Sequence, residues 1–193
     1  MFHADAIPEP EVIDYLLRLF AERGDSLYAG EPVSQTEHAL QAATFAKNEG
    51  VPPTLIAAAL LHDVGHLMTT LPEDCAEQGI DSEHETLGAE WLERYFGPEV
   101  TEPIRLHVAA KRYRCATDPA YYAQLSDASR LSLRLQGGPF TPQEVHEFNQ
   151  HPQAKAALQL RLWDEAAKIP DHPTPDLEHF RPYLEESLRK SRS

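Results

Sequence analysis

The stretch Leu60-Leu61-His62-Asp63-Val64-Gly65-His66 closes an apolar run that begins near Pro52. Leu55, Ile56, Ala57, Ala58, Ala59, Leu60 and Leu61 leave that run no polar face, which predicts a helix buried all round rather than one with a wet side. A carboxylate at the end of a buried helix is unfavourable unless a cation or hydrogen bonds compensate its charge. Imidazole and carboxylate are both ligands for divalent first-row metals, so adjacent His62 and Asp63 form a candidate metal pair. The plainer alternative is that the two residues only cap the helix at the surface. In either case Gly65 suits a left-handed C-cap, with His66 following it.

The pair does not stand alone. His38 lies 24 residues upstream, His84 lies 22 downstream, His107 a further 23, and Asp164 closes Gln159-Leu160-Arg161-Leu162-Trp163-Asp164. Each falls in a segment with helical patterning. Ser34-Gln35-Thr36-Glu37 is a capping box that places His38 in the first turn of a helix, and Ser82-Glu83-His84-Glu85 predicts the same for His84. Val100 to Lys111 predicts a helix with Ile104, Leu106 and Val108 inside. His107 and Lys111 are four apart on it, so they share a face and bring a ligand and a cation into one pocket. A third capping box opens at Thr141, and Gln153 to Lys168 predicts a long helix on which Arg161 and Asp164 are neighbours.

The remaining segments complete an all-α pattern. Pro10 to Arg23 reads as a packing helix stopped by Gly24, Pro119 to Leu135 as two short helices divided near Ser126, and the tail as an amphipathic helix around Leu177, Phe180, Tyr183 and Leu188. Asp25 to Val33 is a loop that carries Tyr28 and Glu31, and Leu67 to Ile80 is a loop over the site. His146, His151, His172 and His179 sit in polar surroundings and read as surface residues. No run alternates apolar and polar residues over a strand length.

At 193 residues without a composition break, one domain spanning 1–193 is expected, with a metal-binding core at about 34–168 and the terminal helices packed on it. Lys and Arg total 17 against 31 Asp and Glu, a formal charge of −14. That field repels nucleic acid, whose binding depends on clustered cations, but admits a small anion where metals and local cations overcome it. The acidic start (Asp5, Glu9, Glu11, Asp14) lacks a secretory pattern and no apolar run reaches the ~20 residues of a membrane span, so a cytoplasmic protein is expected. Cys75 and Cys115 lack metal or redox spacing and read as reduced thiols; oligomeric state is left open.

His38, His62-Asp63 and Asp164 resemble the ligand pattern of the HD-domain superfamily, and His84 and His107 match the two extra histidines of its two-metal forms. Most members are phosphohydrolases, so hydrolysis of a small phosphate ester or nucleotide is one expectation. Flanking residues point elsewhere. Tyr28-Ala29-Gly30-Glu31, Gln35-Thr36-Glu37-His38, His62-Asp63-Val64-Gly65-His66 and His107-Val108-Ala109-Ala110-Lys111-Arg112-Tyr113 resemble the PhnZ/TmpB type of organophosphonate oxygenase, a mixed-valent di-iron group of HD-domain enzymes. That resemblance covers about residues 12 to 168. It implies two iron ions, Fe(II)/Fe(III), held by His38, His62, Asp63, His84, His107 and Asp164, with O2 as co-substrate. The implied substrate is a 1-hydroxy-2-(amino or trimethylammonio)ethylphosphonate, cleaved to phosphate and glycine or glycine betaine. It further implies phosphonate contacts from His66, Lys111, Ser129 and Arg161, with Tyr28 and Glu31 lying over the empty site and moving when substrate arrives.

Overall fold

The computed structural model describes residues 7–28, 31–72 and 75–189; Asp5, the Ala29-Gly30 centre of the Tyr28–Glu31 loop, and Glu73-Asp74 of the Leu67–Ile80 loop lie outside them. The described backbone is helical apart from loops and two isolated bridges. The elements run α1 (Val12–Arg23), α2 (Gln35–Asn48), α3 (Pro53–Leu61), α4 (Val64–Met68), α5 (His84–Leu92), α6 (Pro98–Thr117), α7 (Pro119–Gln124), α8 (Asp127–Leu135), α9 (Pro142–Asn149), α10 (Ala154–Ala166) and α11 (Leu177–Ser187). Among the described residues, no helix is long and apolar enough to cross a membrane.

The apolar helix α3 sits at the centre, packed against α2, α6, α10 and α11. Ile56 to Leu61 are all at most 3% exposed, as a helix without a polar face requires. Each large aliphatic side chain buried there contributes roughly 1.5–3 kcal/mol, so the position of the helix end is strongly determined. His62 is the C-cap of α3 and Asp63 the N-cap of α4, a break that turns both side chains inward.

Gly65 does not form a left-handed C-cap. It lies within α4 with ordinary helical geometry, and its role is close approach: a Cβ there would stand 2.0 Å from the carbonyl oxygen of His84. Gly88 meets the same contact from the other side, where a Cβ would stand 3.1 Å from the Gly65 nitrogen. The two glycines let α4 and α5 touch backbone to backbone, which carries His84 up to Asp63.

The capping box at Ser34 forms as expected, and so does that at Thr141. The one expected at Ser82 does not. Glu83 is the N-cap of α5 in a left-handed conformation (φ 48°), and the Ser82 hydroxyl instead meets His84 Nδ1 at 3.0 Å. The third expected helix is also longer than Val100 to Lys111. It begins at Pro98, accommodates Pro103 in its second turn and continues to Thr117.

Two further links fix the site. Gln41 on α2 bonds both the carbonyl and the N–H of Ile169, clamping the chain where it leaves α10 (2.9 and 3.1 Å). The loop before α2 is pinched at its base by Tyr28 N–H to Val33 O (2.9 Å) and Gln35 N–H to Ser26 O (3.0 Å), which holds Tyr28 toward α10.

Candidate metal centre

His62 is fully buried and Asp63 is 6% exposed, so neither is a surface cap. Asp63 accepts no N–H from α4, and neither of its oxygens meets a donor in hydrogen-bond geometry. A buried carboxylate without hydrogen bonds needs cations, and the surrounding atoms indicate where they belong.

Four imidazoles surround it. His38 Nδ1 faces the Ala167 carbonyl at 2.8 Å, His62 Nδ1 that of Ala59 at 2.9 Å, and His107 Nδ1 that of Ile104 at 2.7 Å. A carbonyl only accepts, so each Nδ1 carries the proton and each Nε2 presents its lone pair inward. His84 Nδ1 is oriented likewise by the Ser82 hydroxyl. The Nε2 atoms then meet in two pairs, His38 with His62 at 3.0 Å and His84 with His107 at 3.1 Å. Facing lone pairs at that separation repel unless a proton or a metal cation serves both.

Asp63 joins the two pairs. Its Oδ2 lies 3.3 Å from His62 Nε2 and 3.6 Å from His38 Nε2, while Oδ1 lies 3.1 Å from His84 Nε2 and 3.4 Å from His107 Nε2. Asp164 Oδ1 adds a fourth atom to the first group, 3.5 Å from His38 Nε2 and 3.9 Å from His62 Nε2. Two sets of three donors, His38–His62–Asp63 and Asp63–His84–His107, each spanning at most 4.8 Å and sharing Asp63, thus stand side by side, with Asp164 beside the first. The donor chemistry, imidazole with carboxylate, fits two first-row divalent or trivalent ions.

The electrostatics agree. Burial would lower the His62 pKa, but Asp63 and Asp164 overcome it and raise it to about 9, whereas burial and the neighbouring His62 bring His38 down to about 4. One positive charge is thus favoured in the His38–His62 gap, where a metal ion takes the place of a proton. Burial opposes ionisation of Asp63 and Asp164, yet His62 and His84 hold Asp63 well below the usual carboxylate range, and Arg161 and His62 do the same for Asp164.

A cavity of about 900 Å³ opens onto this cluster on the His84–His107 side, lined there by Tyr28, His66, Lys111, Ser132 and Arg161. His66 stacks on His84 with ring centroids 4.0 Å apart, and burial with His84 beside it lowers its pKa to about 3, so it is a neutral imidazole. Lys111 is 4% exposed and donates to Ser132 Oγ at 2.9 Å. Arg161 donates to Asp164 Oδ2, to Glu165 Oε2 and, at 2.8 Å, to the Tyr121 hydroxyl. Tyr28 stacks on His38 (3.7 Å between centroids, 11° apart) and its hydroxyl donates to Asp164 Oδ1 at 3.2 Å.

All six candidate ligands therefore converge, and His66, Lys111, Arg161 and Tyr28 line the cavity. Ser129 and Glu31 are placed otherwise. The Ser129 hydroxyl accepts from Lys168 Nζ at 3.0 Å, and Ser132 is the α8 serine that lines the cavity. The resemblance puts Glu31 over the metal centre, but its carboxylate accepts the Ser126 hydroxyl at 2.6 Å and faces Lys168 Nζ at 3.8 Å, where a donor and an ammonium satisfy it. Sequence reasoning missed Ser132, Ser82, Tyr121 and Glu165. Glu165, four residues after Arg161 on one helix, carried a readable signal; the others become neighbours only through the fold.

An HD-domain family model matches residues 36–165, which span every candidate ligand. A [1-hydroxy-2-(trimethylamino)ethyl]phosphonate dioxygenase (glycine-betaine-forming) of Leisingera caerulea is 44% identical over 179 residues, covering 93% of this chain and 91% of that protein. A hydroxymethylphosphonate dioxygenase of Gimesia maris is 44% identical over 182 residues, covering 94% of this chain and 90% of its own. With a family match that spans every candidate ligand, a converged histidine–aspartate cluster and relatives 44% identical over nearly the whole chain, the chain belongs to the HD-domain family.

Proposed function

We propose that this protein is an O2-dependent oxygenase that cleaves the carbon–phosphorus bond of a 1-hydroxy-2-(amino or trimethylammonio)ethylphosphonate at a mixed-valent di-iron centre. The balance is R–CH(OH)–PO3²⁻ + O2 → R–COO⁻ + HPO4²⁻ + H⁺, which gives glycine or glycine betaine according to the nitrogen substituent. One observation carries the proposal: Asp63, buried and without hydrogen bonds, joins two pairs of facing imidazole nitrogens beside a cavity that holds a buried lysine. The 44% identity to two phosphonate dioxygenases supports the reaction class.

In this assignment His38, His62, Asp63 and Asp164 would hold one iron, and His84, His107 and Asp63 would hold the other. His84 and His107 line the cavity, so an ion held there would be reachable by substrate. When bound, the irons supply the redox chemistry that O2 requires and that these side chains lack. The chain's own residues bind and orient. Lys111 meets the phosphonate with a charge-assisted contact, and Arg161 lends N–H groups beyond those pointed at Asp164, Glu165 and Tyr121. His66, neutral and parallel to His84, is placed to hydrogen-bond the substrate's polar groups. Tyr28, stacked on His38 and bonded to Asp164, would cover an ion held by those ligands, and Glu31, tied to Ser126 at the start of α8, anchors the other end of the same loop. Ser129 acts from behind the cavity wall, through its bond from Lys168.

The test is phosphate release from amino, trimethylammonio and unsubstituted hydroxyphosphonates by the iron-loaded protein, with and without O2. Release that requires both O2 and iron supports the proposal. Release from phosphate esters under anaerobic conditions with Mg²⁺ or Mn²⁺ identifies a phosphohydrolase instead.

A further inference from the structure

Three serines spaced three apart, the N-cap of α8 (Ser126) and two within it (Ser129 and Ser132), each hold a charged group. Ser126 Oγ donates to Glu31 at 2.6 Å, Ser129 Oγ accepts from Lys168 at 3.0 Å, and Ser132 Oγ accepts from Lys111 at 2.9 Å. They are also linked to one another: Ser129 N–H donates to Ser126 Oγ (3.1 Å), and Ser132 Oγ–H donates to the Ser129 carbonyl (3.2 Å). The i, i+3 spacing puts all three on one side of the helix, so α8 acts as a rail on which the charges of the site are set.

The cations of this region differ in how far they are neutralised. Arg161 is paired with two carboxylates, Asp164 and Glu165. Lys168 is bonded to Glu165 and faces Glu31. Lys111 is 4% exposed, and its ammonium donates to the neutral hydroxyl of Ser132. A hydroxyl fixes the ammonium in place without cancelling its charge, which a carboxylate would do. Ser132 itself lines the cavity.

We propose that Ser132 is a positioning residue of the phosphonate site, which aims the Lys111 ammonium into the cavity without pairing it with a carboxylate, so that it is free to meet a dianionic oxyanion. This rests on the phosphonate oxygenase reading above. Substrate replaces none of the Ser132 bond's geometry; the ammonium has further N–H groups to offer the phosphonate while one stays on the serine. Losing a hydrogen bond to a charged group corresponds to roughly tenfold or more in affinity.

The experiment compares Ser132→Ala, Ser132→Thr and Ser132→Asp in the iron-loaded protein. Turnover of a hydroxyphosphonate is measured, and inorganic phosphate is titrated calorimetrically as an anion probe that does not depend on the substrate's identity. The expected result is about a tenfold rise in KM and in the phosphate Kd for Ser132→Ala with kcat within about twofold, recovery in Ser132→Thr, and a larger loss in Ser132→Asp, whose carboxylate neutralises Lys111. Iron content and melting temperature should stay near wild type in the alanine and threonine variants. Unchanged KM and phosphate Kd in Ser132→Ala overturn the proposal, as does an aspartate variant that binds phosphate as well as wild type. If the wild type turns over no hydroxyphosphonate, the oxygenase reading fails on that arm, and the phosphate titration still decides whether Ser132 sets an anion site.

Discussion

Replacing Asp63 with asparagine keeps the shape of the side chain and removes the charge that joins the two ligand groups. In the metal-free protein that change takes a carboxylate from the buried imidazole cluster whose charge it balances, so it should cost stability. In the iron-loaded protein a further loss adds to this, because each bound ion stabilises only the folded state. An ion present at 100 times its Kd contributes about 2.7 kcal/mol, so two contribute about 5 kcal/mol. At about 2–4 °C per kcal/mol for a chain of this size, iron should raise the wild-type melting temperature by roughly 10–20 °C. Asp63 offers Oδ1 to one group and Oδ2 to the other, so the amide weakens both sites together rather than one. The iron-induced shift in Asp63→Asn should fall to less than half of the wild-type value, with at most one iron per chain. The assay is anaerobic thermal denaturation with and without Fe(II), paired with elemental analysis. Two irons per chain and a full thermal shift in the variant would refute the bridging assignment.

Other perturbations test separate parts of the site. Gly65→Ala puts a methyl 2.0 Å from the His84 carbonyl, so α5 must retreat; iron content should fall toward one per chain and the melting temperature should drop, and a variant with two irons and wild-type stability would contradict the close-approach role. Burial, reinforced by Arg161, lowers the Lys111 pKa from 10.5 to about 7. The cation is therefore present below that pH and lost as pH rises through it, so kcat/KM should decline above about pH 7, and Lys111→Arg should carry the plateau to higher pH; a flat wild-type profile to pH 9 would remove Lys111 from anion binding. Tyr28→Phe deletes the hydroxyl that donates to Asp164 and keeps the ring on His38, so iron should bind normally while the mixed-valent paramagnetic signal decays faster in air without substrate. Decay at the wild-type rate would make the loop a plain connection.

The sequence made the central helix legible because α3 has no polar face, and that alone sent His62 and Asp63 inward. The other ligands were legible as residue types on separate helices, and family resemblance grouped them. How they meet was not readable: three Nδ1 atoms are oriented by backbone carbonyls, which carry no side-chain signal. Gly65 misled because a glycine after a helical run suits both a left-handed cap and a close approach, and only α5 packing against α4 distinguishes them. Ser82 misled in a similar way. Its capping-box spacing is genuine, but the hydroxyl goes to His84 Nδ1, and Glu83 takes a left-handed conformation instead. Glu31 and Ser129 show the limit of resemblance, which transfers residues but not the partners that this chain gives them.

The measurement that bears most directly on the central claim is simultaneous recording of O2 uptake and phosphate release by the iron-loaded protein with each hydroxyphosphonate. The account predicts one O2 consumed per phosphate released, no release without O2, and loss of both signals in Asp63→Asn. Phosphate released without O2 uptake, or O2 consumed with no phosphate formed from any of these substrates, would contradict it.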